Sequence, residues 1–65
     1  MITVYEFMRL FLEENEQYFV LWDINKNKKV FAGYLEDLPN EFCSVEVASI
    51  DNLTGNGIII LNVDI

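Results

Sequence analysis

From Gly57 to the end, the chain carries Ile58, Ile59, Ile60, Leu61, Val63 and Ile65 with hardly a polar residue among them. In an extended strand successive side chains point to opposite faces, so Ile58 and Ile60 serve one face and Ile59, Leu61, Val63 and Ile65 the other. A strand apolar on both sides predicts an interior position in a sheet, with both faces needing cover. The N-terminal segment is the one stretch with helical periodicity, and it can cover only one of them.

That segment opens with Thr3, Val4, Tyr5 and Glu6, the pattern of a capping box, with Ile2 and Phe7 placed for a hydrophobic staple. The spacing predicts a helix over Val4 to Glu14. Val4, Phe7, Met8 and Phe11 form its central stripe, Tyr5, Leu10 and Leu12 widen it, and Glu6, Arg9 and Glu13 form the polar face. The apolar arc is wider than a helix on a sheet requires, so loops or another chain must cover the excess. Tyr18 to Asp23 and Lys29 to Tyr34 read as strands of a hairpin around a polar loop. Phe19 and Leu21 point one way, and Tyr18, Val20 and Trp22 the other. Val30, Ala32 and Tyr34 alternate with Phe31 and Gly33, where Gly33 marks a bulge or a close backbone contact.

Leu35 to Phe42 reads as a connection with one helical turn near Pro39, with Leu38 and Phe42 closing the edge of the core. Ser44 to Ile50 is the third strand, with Glu46 placing it near an edge, and Asp51 to Asn56 is the turn into the last. Asn56 and Gly57 suit positive φ. The predicted fold class is α+β: one domain over residues 1–65, with an N-terminal helix on one face of a four-stranded, mainly antiparallel sheet. Its order is α-β-β-short helical turn-β-β. The other face exposes several of Tyr18, Val20, Trp22, Val30, Tyr34 and the C-terminal isoleucines, a larger apolar patch than monomers commonly show. Sheet-to-sheet association through Tyr18, Val20, Trp22 and Tyr34, as a homodimer or higher homo-oligomer, is the expected cover.

Size strengthens that expectation. The chain has 65 residues and a single cysteine, Cys43, and it has no histidine. An internal disulfide is excluded and the usual zinc ligand sets are missing, which leaves association as the remaining way to stabilise so small a core. Acidic residues outnumber basic ones 11 to 4, for a net charge of −7. This charge opposes direct binding to nucleic acid or to anionic membranes and favours basic partners. Glu6 and Arg9 interrupt the apolar N-terminus, unlike a signal peptide, and no stretch approaches the length of a membrane span, so a cytoplasmic location is expected.

The chemistry-bearing patterns are thin. Asp23, Asn25 and Asn27 match the opening of a calcium loop, but Lys28 stands where the turn glycine belongs and Tyr34 where the bidentate glutamate belongs. Cys43, between Glu41 and Glu46, reads as a small buried residue at the start of a strand and not as an activated thiol. Gly55 and Gly57 are followed by no lysine and open no helix, so they form no phosphate loop. Asn52, Leu53 and Thr54 form a glycosylation sequon that has no use in the cytoplasm. The chain reads as non-enzymatic, with no cofactor or metal.

Two surface groups remain. Glu13, Glu14, Glu16, Glu36, Asp37 and Glu41 form two acidic clusters, either solvated or a surface for a basic partner. Lys26, Lys28 and Lys29 sit at one hairpin tip, either solubilising or an anion contact.

Thr3 to Phe7, the strand Phe19 to Asp23 ending in Leu-Trp-Asp, and Phe31 to Pro39 together resemble small acidic proteins encoded by prophages and other mobile elements of low-GC Gram-positive bacteria. The likeness runs over most of the chain but rests on packing and turn residues, and it brings no site residues. It implies a protein that binds a host protein, immune effectors such as CRISPR nucleases among them. The expectation is an interaction protein docking on a host protein, with the acidic clusters imitating nucleic-acid phosphates. Two alternatives stay open: an oligomer that sequesters a nucleotide-like immune signal, using the lysine tip and Tyr18, Trp22 and Tyr34, and a structural or assembly component.

Overall fold

The computed structural model describes residues 2–11, 16–53 and 57–65. Helix α1 (Val4–Met8) precedes strands β1 (Tyr18–Asp23) and β2 (Lys28–Gly33). A 3-10 turn (Leu35–Asp37) and helix α2 (Asn40–Cys43) lead to strands β3 (Val47–Leu53) and β4 (Ile58–Val63). The fold is a small α+β arrangement with one four-stranded mixed sheet in the order β2-β1-β4-β3. β1–β2 and β3–β4 are antiparallel pairs, and the central β1–β4 pair is parallel. The C-terminal isoleucine run does lie in the interior, between β1 and β3. What the strand pattern did not convey is that both central strands run the same way.

That parallel pair dictates the rest. β2 and β3 occupy opposite edges, so the chain between them must cross the sheet. The crossing segment sends Leu35, Leu38, Phe42 and Val45 against the core, and Val4 and Met8 of α1 join the same cluster. Phe19, Leu21, Leu61 and Val63, all fully buried, form the sheet's contribution. The alternation read from the sequence is therefore correct for β1 and β4: Phe19 and Leu21, with Ile59, Leu61 and Val63, are the inward residues. Burying each such side chain stabilises by about 1.5–3 kcal/mol.

Several local expectations are corrected. α1 stops at Met8, well short of Glu14, because the amides of Leu10 and Phe11 bond to Phe7 and Met8, three residues back, at 3.1 and 3.4 Å. This tightening brings the Phe11 ring edge-on to Phe19, with centroids 5.3 Å apart, and Phe7 lies against both. Of the widened stripe, Tyr5 and Leu10 are exposed, Leu10 at 69 %, while Leu12 lies outside the described residues. The capping box forms as read: Glu6 donates its amide to Thr3 Oγ1 at 3.2 Å and accepts from the Thr3 amide at 3.0 Å.

β2 spans Lys28–Gly33, one residue earlier than expected, and its bulge lies at Val30 rather than Gly33. The register jumps from Leu21↔Phe31 to Trp22↔Lys29, and the extra residue, Val30, turns to the core instead of the opposite face. Gly33 is instead the close contact: a Cβ there would come within 3.3 Å of the Phe31 ring. The third strand starts later than Ser44. The Val4 amide donates to Val45 O at 2.8 Å, the Val47 amide donates to Ile2 O at 3.0 Å, and Thr3 bridges Glu46. Pairing with β4 therefore begins at Val47 and continues to Leu53, taking in Asp51, Asn52 and Leu53, which the sequence had placed in the turn. Asp and Asn disfavour strands intrinsically, but the paired Ile59 and Ile60 override that preference. Cys43 ends α2 rather than opening a strand, and it is half-buried with its sulfur 3.7 Å from Pro39 O. Ile65, grouped on one face with Ile59, Leu61 and Val63, lies past the end of β4 and is 52 % exposed. Gly57 has φ 68°, as the approach to β4 demanded, and Asn56 lies outside the described residues.

Two outcomes follow. Leu61→Ala should lower the unfolding free energy by about 2–5 kcal/mol in urea titration, whereas Leu10→Ala should change it by less than about 0.5 kcal/mol. The hydrogen bond from the Thr3 amide, then that with its hydroxyl side, holds the Glu6 pKa below its ordinary value of 4.5. Its stabilisation is therefore present above that value and is lost as pH falls through the lowered folded-state pKa. Glu6→Gln should flatten that part of the acid limb of a stability-versus-pH curve.

Candidate interaction surface

The face of the sheet opposite the core is built by alternation from three strands. β1 supplies Tyr18, Val20 and Trp22. In register beside them, β4 supplies Ile58, Ile60 and Asn62. Ala32 stands opposite Val20 on β2, and the Tyr34 ring meets Tyr18 edge-on with centroids 5.5 Å apart. All of these are half-buried, and none belongs to the residues packed on the core. Tyr18, Val20, Trp22 and Tyr34, grouped from the sequence, thus do share one surface. Val30, which was also expected there, has left it through the bulge.

Toward β3 this surface becomes polar. Ser49 pairs with Asn62 and Asp51 with Ile60. The Asn62 side-chain amide donates to Ser49 Oγ at 3.0 Å and to Asp51 Oδ2 at 2.9 Å. A carboxylate only accepts, so this network fixes the amide orientation: Nδ2 faces β3. Trp22, Asp51, Ile60 and Asn62 line an open depression of about 260 Å³. The Trp22 indole N–H donates to Asn27 Oδ1 at 3.3 Å, which steadies the ring from the β1–β2 turn. Asp51 was missed because it was read as part of a turn, and Asn62 was not singled out within the apolar run. Their i and i+2 relation to Ser49 and Ile60 was the available signal.

The acidic clusters fall elsewhere. Glu36, Asp37 and Glu41 are exposed on the crossing segment, whose Leu35, Leu38 and Phe42 face the core. They therefore belong to the other side of the molecule from Trp22. Glu16 is exposed before β1, and Glu13 and Glu14 lie outside the described residues. The lysine tip does not form one patch. Lys28 pairs with Asp23 and Lys29 with Trp22, so consecutive lysines point to opposite faces, and Lys26 is exposed in the turn between the strands.

Asp23, the first residue of the calcium-like pattern, is buried at 1 % exposure. Its Oδ1 accepts from the amides of Asn25 at 2.9 Å and Lys26 at 3.4 Å, an Asx-type turn closure. Asn25 turns away and donates to Asp64 and to Ile65 O, tying the turn to the C-terminus. Asn27 takes φ 53° and holds Trp22. The three oxygen-bearing residues thus have separate structural tasks. Among the described residues, no three Asp, Glu or Cys side chains converge as a metal site would require, and no helix is long and apolar enough to cross a membrane.

Comparison with known proteins gave no family model, no curated relative and no solved structure that matches the chain.

Asp23→Ala removes the acceptor for two turn amides and should lower the unfolding free energy by about 1–3 kcal/mol. Equilibrium urea unfolding, compared with Lys26→Ala as a neutral turn substitution, checks this.

Proposed function

We propose that the chain is a non-catalytic interaction protein that docks on a basic protein partner through the open face of its sheet. The observation that carries this reading is the contiguous surface of Tyr18, Val20, Trp22, Ala32, Tyr34, Ile58 and Ile60, flanked by Asp51. An apolar centre with a polar border is the anatomy of a protein interface. The net charge of −7 favours a cationic partner over a second copy, which would bring equal charge together. The resemblance to small acidic prophage proteins supports a host protein as that partner, and modulation or inhibition of that protein, as in anti-defence activity, as the role. The crossing-segment cluster Glu36, Asp37 and Glu41 then acts at a distance, steering approach without lying in the contact.

A second reading is association with a second copy through the same face, favoured by the breadth of apolar surface on so small a chain. Sequestration of a nucleotide-like ligand keeps a foothold in Lys29, which stands opposite Trp22. The readings separate in one experiment. Tagged protein is incubated with bacterial lysate at low and high salt, alongside a Val20→Glu variant of unchanged far-UV spectrum, and the recovered complexes are weighed by native mass spectrometry. Docking on a basic partner predicts a stoichiometric complex with a basic protein, weakened by salt and abolished by Val20→Glu. A complex that Val20→Glu leaves intact contradicts the use of this face. A homodimer lost in the variant supports the second reading, and a small added mass retained on the chain supports sequestration.

A further inference from the structure

Within that docking reading, and resting on it, the geometry points to a specific recognition element: we infer that the depression between Trp22 and Asp51 receives an arginine side chain of the partner. Trp22 stands on β1 and Asp51 on β3, with β4 between them, and their partners on β4, Asn62 and Ile60, are two residues apart, so two strand spacings and this stagger put their backbones roughly 12 Å apart. Ile60 and Asn62 form the floor of this gap. Both Asn62 amide donations go toward β3, to Ser49 and Asp51, which directs the Asn62 carbonyl oxygen away from β3. An entering group therefore meets the Trp22 indole, the Asp51 carboxylate and the Asn62 amide. The groups offered at the rim and on the floor are thus electron-rich or acceptors, and Ile60 takes an aliphatic stem.

A guanidinium matches this set better than an ammonium. It is planar and less strongly hydrated, it stacks on aromatic rings, and its donors fan out in a fork that can reach the carboxylate and the amide oxygen together. The Trp22 ring carries no cation from its own chain among the described residues, where the one such contact is Arg9 over Tyr5 at 5.5 Å. Lys29 pairs with Trp22 on the β2 side, away from Asp51. A phosphate would be drawn to that side and repelled by the depression itself. The polarity of the two sides of Trp22 thus selects a cation on the β3 side.

The test uses the full chain and two peptides, acetyl-Gly-Arg-Gly-amide and its neutral citrulline analogue. Trp22 is the only tryptophan, so its fluorescence reports directly on the depression, and amide chemical shifts locate the contact. The arginine peptide should give a saturable change centred on Trp22, Ile60 and Asn62, and the citrulline peptide should not. Asp51→Asn keeps an acceptor for Asn62 and should weaken binding about fivefold. Trp22→Leu, followed by chemical shifts, should weaken it about threefold. Equal binding of the two peptides, or undiminished binding to Asp51→Asn, overturns the inference. Arginine binding that survives Asp51→Asn but is lost in the triple variant Glu36→Gln, Asp37→Asn, Glu41→Gln also overturns it, while leaving the basic-partner reading standing. If the arginine peptide does not bind, the depression is excluded as its site, and the salt-dependent capture experiment then decides the broader reading alone.

Discussion

The parallel pairing of β1 with β4 is the constraint on which the rest of the structure depends. Two antiparallel hairpins joined this way put β2 and β3 at opposite edges, and the segment between them has to cross the sheet. Parallel neighbours need such a crossover whatever the sequence. Here the crossing segment is also the cover: Leu35, Leu38, Phe42 and Val45 lie on the same core as Val4 and Met8 of α1. Among the described residues, the helical and turn segments pack on this one core, and the alternating side chains of the other face lie outside it, half-buried.

This division explains how a chain this short holds a core at all. Among the described residues, seven hydrophobic side chains are buried, contributed by both helical and strand segments. The N-terminus reinforces the arrangement, because Ile2 and Val4 bond to Val47 and Val45 and so fix the start of β3 against the crossing segment. At the other end, Asp23 closes the β1–β2 turn while Asn25 ties that turn to the C-terminus. The sheet is braced at both ends and covered on one side. The side chains of its other face stay outside the core cluster.

Much of this was legible in the residues. Period-two alternation identified Phe19 and Leu21 as inward and Val20 and Trp22 as outward, and Thr3 with Glu6 announced the start of α1. Three features were not legible, each for a physical reason. The helix end depends on aromatic packing of Phe11 on Phe19, a tertiary effect. The Val30 bulge is set by register across strands, which no local pattern encodes. The extension of β3 through Asp51 arises from pairing with a strongly β-forming neighbour, against the residue's own preference. That last misreading hid a carboxylate that lines a depression together with Trp22.

Adjacent residues of β4 have opposite surroundings: Leu61 is buried in the core, and Ile60 lies half-buried on the other face of the sheet. The most direct measurement is cooperative unfolding of Ile60→Glu and Leu61→Glu, followed by circular dichroism under identical conditions at neutral pH. Ile60→Glu should keep a cooperative transition with a native-like spectrum, since Ile60 lines an open depression from which a carboxylate can reach water. Leu61→Glu should lose it, because an unpaired buried charge costs several kcal/mol, a large part of the stability of a small domain. Equal tolerance of both substitutions, or equal collapse, would contradict the account.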